Sequence, residues 1–112
     1  MNFKVKTIPN FEREAKKISK KHRGIKSDLL KLINDLEINP EMGIHLGQNI
    51  YKIRLSISGT NKGKSGGARV ITYVIVVDKI VYLTEIYLKS EYSTVHIEDV
   101  IQRLKDAGII DS

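Results

Sequence analysis

The chain has no cysteine, which removes disulfides, thiolate metal sites and thiol nucleophiles together. It has only two prolines, and its eight glycines are scattered apart from one cluster between Gly59 and Gly67. Repeats, low-complexity tracts and linkers are also missing, so 112 residues imply a single domain, residues 1–112, built around one core. Long apolar runs are absent. The longest, Val70 to Val77, is far too short to cross a bilayer, and Met1-Asn2-Phe3-Lys4-Val5-Lys6 has no apolar signal region. The chain therefore reads as soluble, unexported and cytoplasmic, with no membrane partner. The last absence is local: from Leu46 to Val77 there is no Asp or Glu.

That acid-free stretch holds Lys52, Arg54, Lys62, Lys64 and Arg69, an unneutralised positive field in a chain whose net charge is already +6. Such a balance favours a polyanionic partner. Glycines at 59, 63, 66 and 67 leave backbone N–H groups uncovered and free to approach a ligand, and phosphate is the natural guest. In Tyr51-Lys52-Ile53-Arg54-Leu55-Ser56-Ile57 apolar and polar residues alternate, so Lys52 and Arg54 share one face of a strand. Arg69 and Tyr73 likewise share a face of the next strand. A hairpin would gather these cations on one open surface.

The remaining elements follow from periodicity. Phe3 to Ile8 suits a short edge strand ending at Pro9. Asn10 can cap a helix whose stripe is Phe11, Ala15 and Ile18, running through His22 to Gly24. Ser27 is the expected N-cap of a second helix to about Glu37, burying Leu29, Leu30, Ile33 and Leu36. Glu41 to Gln48 reads as loop. Strands are expected at Ile50 to Ile57, Ala68 to Val77 and Ile80 to Leu88, with a tight turn joining the last two. A final helix from Ser93 or Thr94 to Ala107 carries Ile97, Val100, Ile101 and Leu104 and stops at Gly108. The order β-α-α-β-β-β-α implies an α+β fold. A small antiparallel sheet is covered by the N-terminal helical hairpin, and the C-terminal helix packs on its edge or open face.

The motifs narrow the chemistry. Gly59-Thr60-Asn61-Lys62-Gly63-Lys64-Ser65 has one residue too few for a P-loop and leads into a strand, which excludes nucleotide hydrolysis of that type. His22, His45 and His96 lack ligand spacing, and no pair of carboxylates flanks the basic stretch, so no metal site is indicated. Lys, Arg and Tyr remain. They can support RNA cleavage by the ribose 2′-OH: a base removes its proton, cations stabilise the phosphorane and an acid protonates the leaving 5′-oxygen. A lysine crowded by Arg54 and Arg69 would have a lowered pKa, which makes Lys64 or Lys52 the candidate base. Tyr87, followed by Lys89 and Glu91, adds an aromatic that can stack on an unpaired base.

Lys52-Ile53-Arg54, then Lys62-Gly63-Lys64-Ser65-Gly66-Gly67-Ala68-Arg69 with Tyr73, then Tyr87-x-Lys89-x-Glu91 resemble the toxins of the RelE/ParE superfamily, in particular the HigB-like branch. The resemblance implies a type II toxin that cuts mRNA in the ribosomal A site of the 70S ribosome, without a cofactor, and a cognate acidic antitoxin. It places Arg54, Lys64 and Arg69 on the phosphate and Tyr87 with Lys89 on the nucleotide. Lys52 or Lys64 would be the base, and Lys62, Gly66, Gly67 and Tyr73 would contact the RNA. A gyrase-inhibiting branch, or an inactive basic RNA- or protein-binding domain of the same fold, is the alternative.

Overall fold

The computed structural model describes residues 2–59, 67–91 and 95–111. Alternating and β-branched segments form five strands: β1 (Lys4–Thr7), β2 (Ile44–Gly47), β3 (Ile50–Leu55), β4 (Ala68–Ile75) and β5 (Ile80–Leu88). The helices are α1 (Pro9–Lys21), α2 (Ile25–Ile38) and α3 (Ile97–Asp106). The sheet order is β1-β5-β4-β3-β2, antiparallel except for β1, which pairs with β5 in parallel. The sheet is thus mixed. The chain leaves β1, makes both hairpin helices and three strands, and returns along β1 only with β5.

Differences from the sequence expectation have local causes. β2 falls inside the expected loop Glu41 to Gln48, since its four residues are an edge strand with exposed Ile44 and His45, too short and too wet to alternate. Proline takes the first position of α1, so the extended residue before it is Ile8, and Asn10 lies inside the helix. Its amide donates instead to the Thr84 carbonyl on β5, 3.1 Å away. α2 begins at Ile25, not after Ser27, because Ile25 is fully buried and carries the first turn into the core. Ser27 bonds back to the Gly24 carbonyl at 3.0 Å. The buried stripe of α2 is Ile25, Leu32 and Leu36, with Leu29 and Ile33 at its margins, while Leu30 is 65% exposed. α3 starts at Ile97, and the expected caps Ser93 and Thr94 lie outside the described residues. Gly108 ends that helix with a left-handed φ of 75°.

Two apolar clusters fill the two faces of the sheet. Phe11 and Ile18 of α1 with Leu32 and Leu36 of α2 pack on Ile53, Val70, Val74, Val81, Leu83 and Ile86. On the other face Val100 and Leu104 of α3 cover Ile50, Ile71 and Tyr87. The C-terminal helix is therefore on the open face.

Candidate functional site

β3 and β4 pair so that Arg54 stands opposite Arg69, and β4 and β5 pair so that Arg69 stands opposite Tyr87. Directly opposed residues in an antiparallel ladder share a face, about 5 Å apart. Arg54, Arg69 and Tyr87 therefore form one row across three strands, on the face that α3 covers. The next row is Lys52, Ile71 and Glu85. Lys89 follows just beyond β5, exposed, and its backbone N–H donates to the Gly67 carbonyl at 3.0 Å.

Tyr87 reaches this row through a bulge. Opposite Ile71 the partner is Glu85, but opposite Thr72 it is Leu83, so Thr84 is an extra residue on β5. An extra residue reverses the alternation beyond it. Val81 and Leu83 thus enter the cluster under the helical hairpin, whereas Tyr87, of the same parity, enters the cluster under α3. The bulge is held at both polar groups: the Thr84 hydroxyl donates to the Ile71 carbonyl at 3.1 Å and the Thr84 carbonyl accepts from Asn10.

The ends of the β3–β4 loop are also fixed. The Ser58 N–H donates to an Asp28 carboxylate oxygen at 2.7 Å, anchoring the loop to α2. At the other end a Cβ on Gly67 would lie 2.2 Å from the Leu55 carbonyl oxygen, so only glycine lets the two strands meet. Lys62, Lys64 and Gly66 lie outside the described residues.

The row is less open than the alternation suggested. Arg54 is exposed, but Arg69 is 5% and Tyr87 6% exposed, and Tyr87 lies in the cluster that Val100 and Leu104 of α3 cover. The Arg69 guanidinium donates to the Ala68 carbonyl at 3.1 Å. Burial pushes the Tyr87 phenol above its ordinary pKa, with Arg69 opposing and Glu85 adding to the shift. Tyr87 is therefore a protonated donor at neutral pH, beside a buried cation. Lys52 is half-buried in the second row, and Tyr73 packs on the apolar cluster with Ile50 and Ile71.

On its far side Tyr87 borders a cleft of about 380 Å³ between α1, β5 and α3. Here the charge reverses: Glu14, Glu85 and Asp99 face Arg103 and His96. Glu85 is 9% exposed and meets the Arg103 guanidinium at 3.4 Å, while its other carboxylate oxygen is buried with no hydrogen-bond partner among the described residues. Burial dominates and raises its pKa; Arg103 opposes, and Asp99 and Glu14 reinforce the rise. Glu85 is not among the residues expected from the sequence, although an acid amid apolar neighbours in Ile80–Leu88 is a signal for it. Among the described residues no three His, Asp or Glu side chains gather as a metal site would require.

No family model matches the chain, and no curated protein does. Among solved structures, the Escherichia coli toxin RelE, an arginine double mutant in the free state, superposes with a TM-score of 0.64 at 17% sequence identity. The match covers 93% of this chain and 99% of that one. The chain has the α+β fold of that toxin: a sheet with a helical hairpin on one face and a C-terminal helix on the other.

Proposed function

We propose that this single-domain chain is a type II toxin of the HigB-like branch, an endoribonuclease that cuts mRNA in the ribosomal A site and is restrained by an acidic antitoxin. The observation that carries the reading is the row of Arg54, Arg69 and Tyr87, which sets two guanidinium groups and a protonated phenol side by side across three strands. In the reaction the ribose 2′-oxygen bonds to the adjacent phosphorus as a base, Lys52 or Lys64, takes its proton. The bond from phosphorus to the 5′-oxygen then breaks, the 5′-oxygen is protonated, and a 2′,3′-cyclic phosphate remains. Arg54 and Arg69 offset the charge that accumulates on the phosphorane. Tyr87 and Lys89 orient the nucleotide, one by stacking or hydrogen bonding and the other by charge. Lys62, Gly66, Gly67 and Tyr73 complete the proposed RNA contacts.

Induced expression tests it. The expected result is loss of full-length mRNA, with 2′,3′-cyclic phosphate ends inside reading frames, and an Arg54→Ala variant that makes none. Arg54 is exposed, so its removal leaves the core intact. Intact mRNA with DNA-damage signalling would transfer the chain to the gyrase-inhibiting alternative. No growth effect at all would leave only a binding domain.

A further inference from the structure

The charge that α1 shows to solvent is positive: Arg13, Lys16, Lys17, Lys20 and Lys21 are all exposed. Where α1 meets α3 the sign changes. Glu14 of α1, Glu85 of β5 and Asp99 of α3 line the cleft of about 380 Å³ between those elements. In a chain of net charge +6, three carboxylates from three separate elements thus converge on one hollow. Among the described residues, Arg103 and His96 are the side chains in its wall that can oppose them, and Lys17 also meets Glu14, at 3.5 Å.

Glu85 sets this cleft apart from a solvated acidic patch. The residue is 9% exposed, and its Oε2 atom is buried with no hydrogen-bond partner among the described residues. Its Oε1 atom meets Arg103 Nε at 3.4 Å, yet that nitrogen is itself buried without a hydrogen bond. The pair is therefore an electrostatic contact in which neither partner has used its hydrogen-bonding capacity. A carboxylate in this condition has given up water without gaining donors, which is costly in a folded protein. A donor entering the cleft would remove that cost.

The surroundings narrow what the donor is. Carboxylates only accept, so the guest must donate, and three of them favour a positive one. A bare metal ion is a poor fit, because no three His, Asp or Glu side chains among the described residues gather closely enough to hold it. Between the acids the wall is apolar, with Ile86, Val95 and the ring of Tyr87. That wall suits a guest with a carbon stem. An ammonium group carries three N–H donors on one atom, enough to serve Glu85 and a neighbouring carboxylate together. The volume lies at the small end of the range for sites that take a whole small molecule.

We propose that this cleft is a binding site for a small organic cation, an alkyl diamine, with one ammonium group donating to Glu85 and the other held by Glu14 or Asp99. Burial holds the Glu85 carboxyl above its ordinary pKa in the empty cleft, and a bound ammonium favours the ionised form instead. The site does not depend on the proposed cleavage reaction. Tyr87 borders both, but Glu14, Glu85 and Asp99 have no role in that chemistry.

The test is titration of the full chain with 1,4-diaminobutane at constant ionic strength, read by calorimetry and by amide shifts in NMR spectra. One saturable site is expected, with a Kd below about 1 mM and shifts concentrated at Ile86, Val95, His96 and Asp99. Glu85→Gln should weaken binding at least about tenfold, the scale for losing one charge-assisted hydrogen bond. Glu14→Gln and Asp99→Asn should each weaken it by less, and Asp35→Asn on α2 should leave it unchanged. Asp99 and Asp35 are exposed, so these two variants keep the core whatever Glu85→Gln does to folding. 1-Aminobutane, with one charge, should bind more weakly than the diamine. The proposal is overturned by no saturable binding up to about 10 mM, or by Glu85→Gln or the Glu14→Gln/Asp99→Asn pair binding as wild type does. Shifts spread over acids of the whole surface, or tighter saturation of the same site by magnesium chloride, would overturn it too. A chain that binds the diamine and cuts no RNA would refute the proposed function and leave this site standing; one that cuts RNA and ignores the diamine would do the reverse.

Discussion

The two cationic regions of this protein are built on opposite principles. On the sheet, Arg54 and Arg69 are joined by strand register with Tyr87, two of the three are buried, and the ladder determines where each side chain stands. On α1, five cations are exposed, spaced by the turn of the helix, with side-chain contacts only from Lys17 to Glu14 and from Arg13 to Asn10 among the described residues. The first arrangement gives position. The second gives long-range attraction, since exposed charges act over about 10 Å at ordinary ionic strength and contribute little to local order. Net charge thus reports an approach surface, whereas chemistry needs register, and a large excess of lysine is a poor guide to where a reaction occurs.

The sharpest way to break this contrast is to remove a cation from each region. Arg69→Ala is expected to lower the cleavage rate by about 100-fold or more, the scale for deleting one donor to a developing oxyanion. It should also lower Tm, because Arg69 is buried and its removal leaves a void there. Arg54→Ala should share the loss of rate without the loss of Tm. An α1 lysine changed to glutamine should do neither once substrate is saturating. A purified Arg69→Ala protein with wild-type cleavage would remove the sheet row from the chemistry.

Much of this architecture was legible in the sequence, and the reasons are specific. Alternation through Tyr51–Leu55 placed Lys52 and Arg54 on one face, and a tight turn at Val77–Ile80 made β4 and β5 antiparallel neighbours. The parallel pairing of β1 with β5 was not legible, because it joins segments more than seventy residues apart with no local signal. The extent of burial was also hidden. Nothing in the spacing of Arg69 or Tyr87 says that both are buried. Above all, parity assigns Tyr87 to the same side as Val81 and Leu83, and only the bulge at Thr84 overrules it.

That bulge gives the second prediction, which asks whether register really makes the site. Thr84→Val keeps the shape of the side chain but deletes the hydroxyl that donates to the Ile71 carbonyl at 3.1 Å in a fully buried setting. The expected loss of stability is about 1 kcal/mol, that of one buried hydrogen bond, read from denaturant unfolding. The cleavage rate at saturating substrate should fall by more than this stability change explains, because Tyr87 lies three residues beyond the bulge and turns with it. A Thr84→Val protein that is less stable yet fully active would show that the bulge only supports packing.

The smallest expected effect concerns what bounds the two regions. The α1 face runs on into Arg23 and Lys26, but the sheet row stops at Tyr87, where Glu14, Glu85 and Asp99 reverse the potential. Glu85 is the buried member, and its two environments compete. Desolvation favours the neutral acid, whereas Arg103 favours the carboxylate. Desolvation wins, since the Arg103 contact is 3.4 Å long and the second carboxylate oxygen has no hydrogen-bond partner among the described residues. A folded-state pKa above the unfolded one means that the native protein holds the proton more tightly. The stabilisation that follows is complete at low pH. It is lost as pH rises from the ordinary carboxylate range, near about 4, through the raised folded value. Glu85→Gln removes this titration and resembles the neutral acid throughout. The Tm of wild type minus that of Glu85→Gln should therefore fall as pH rises from about 4 toward neutrality. If the difference grows instead, the ion pair with Arg103 outweighs burial, and the acidic border beside Tyr87 is a brace for α3 and not a strained carboxylate.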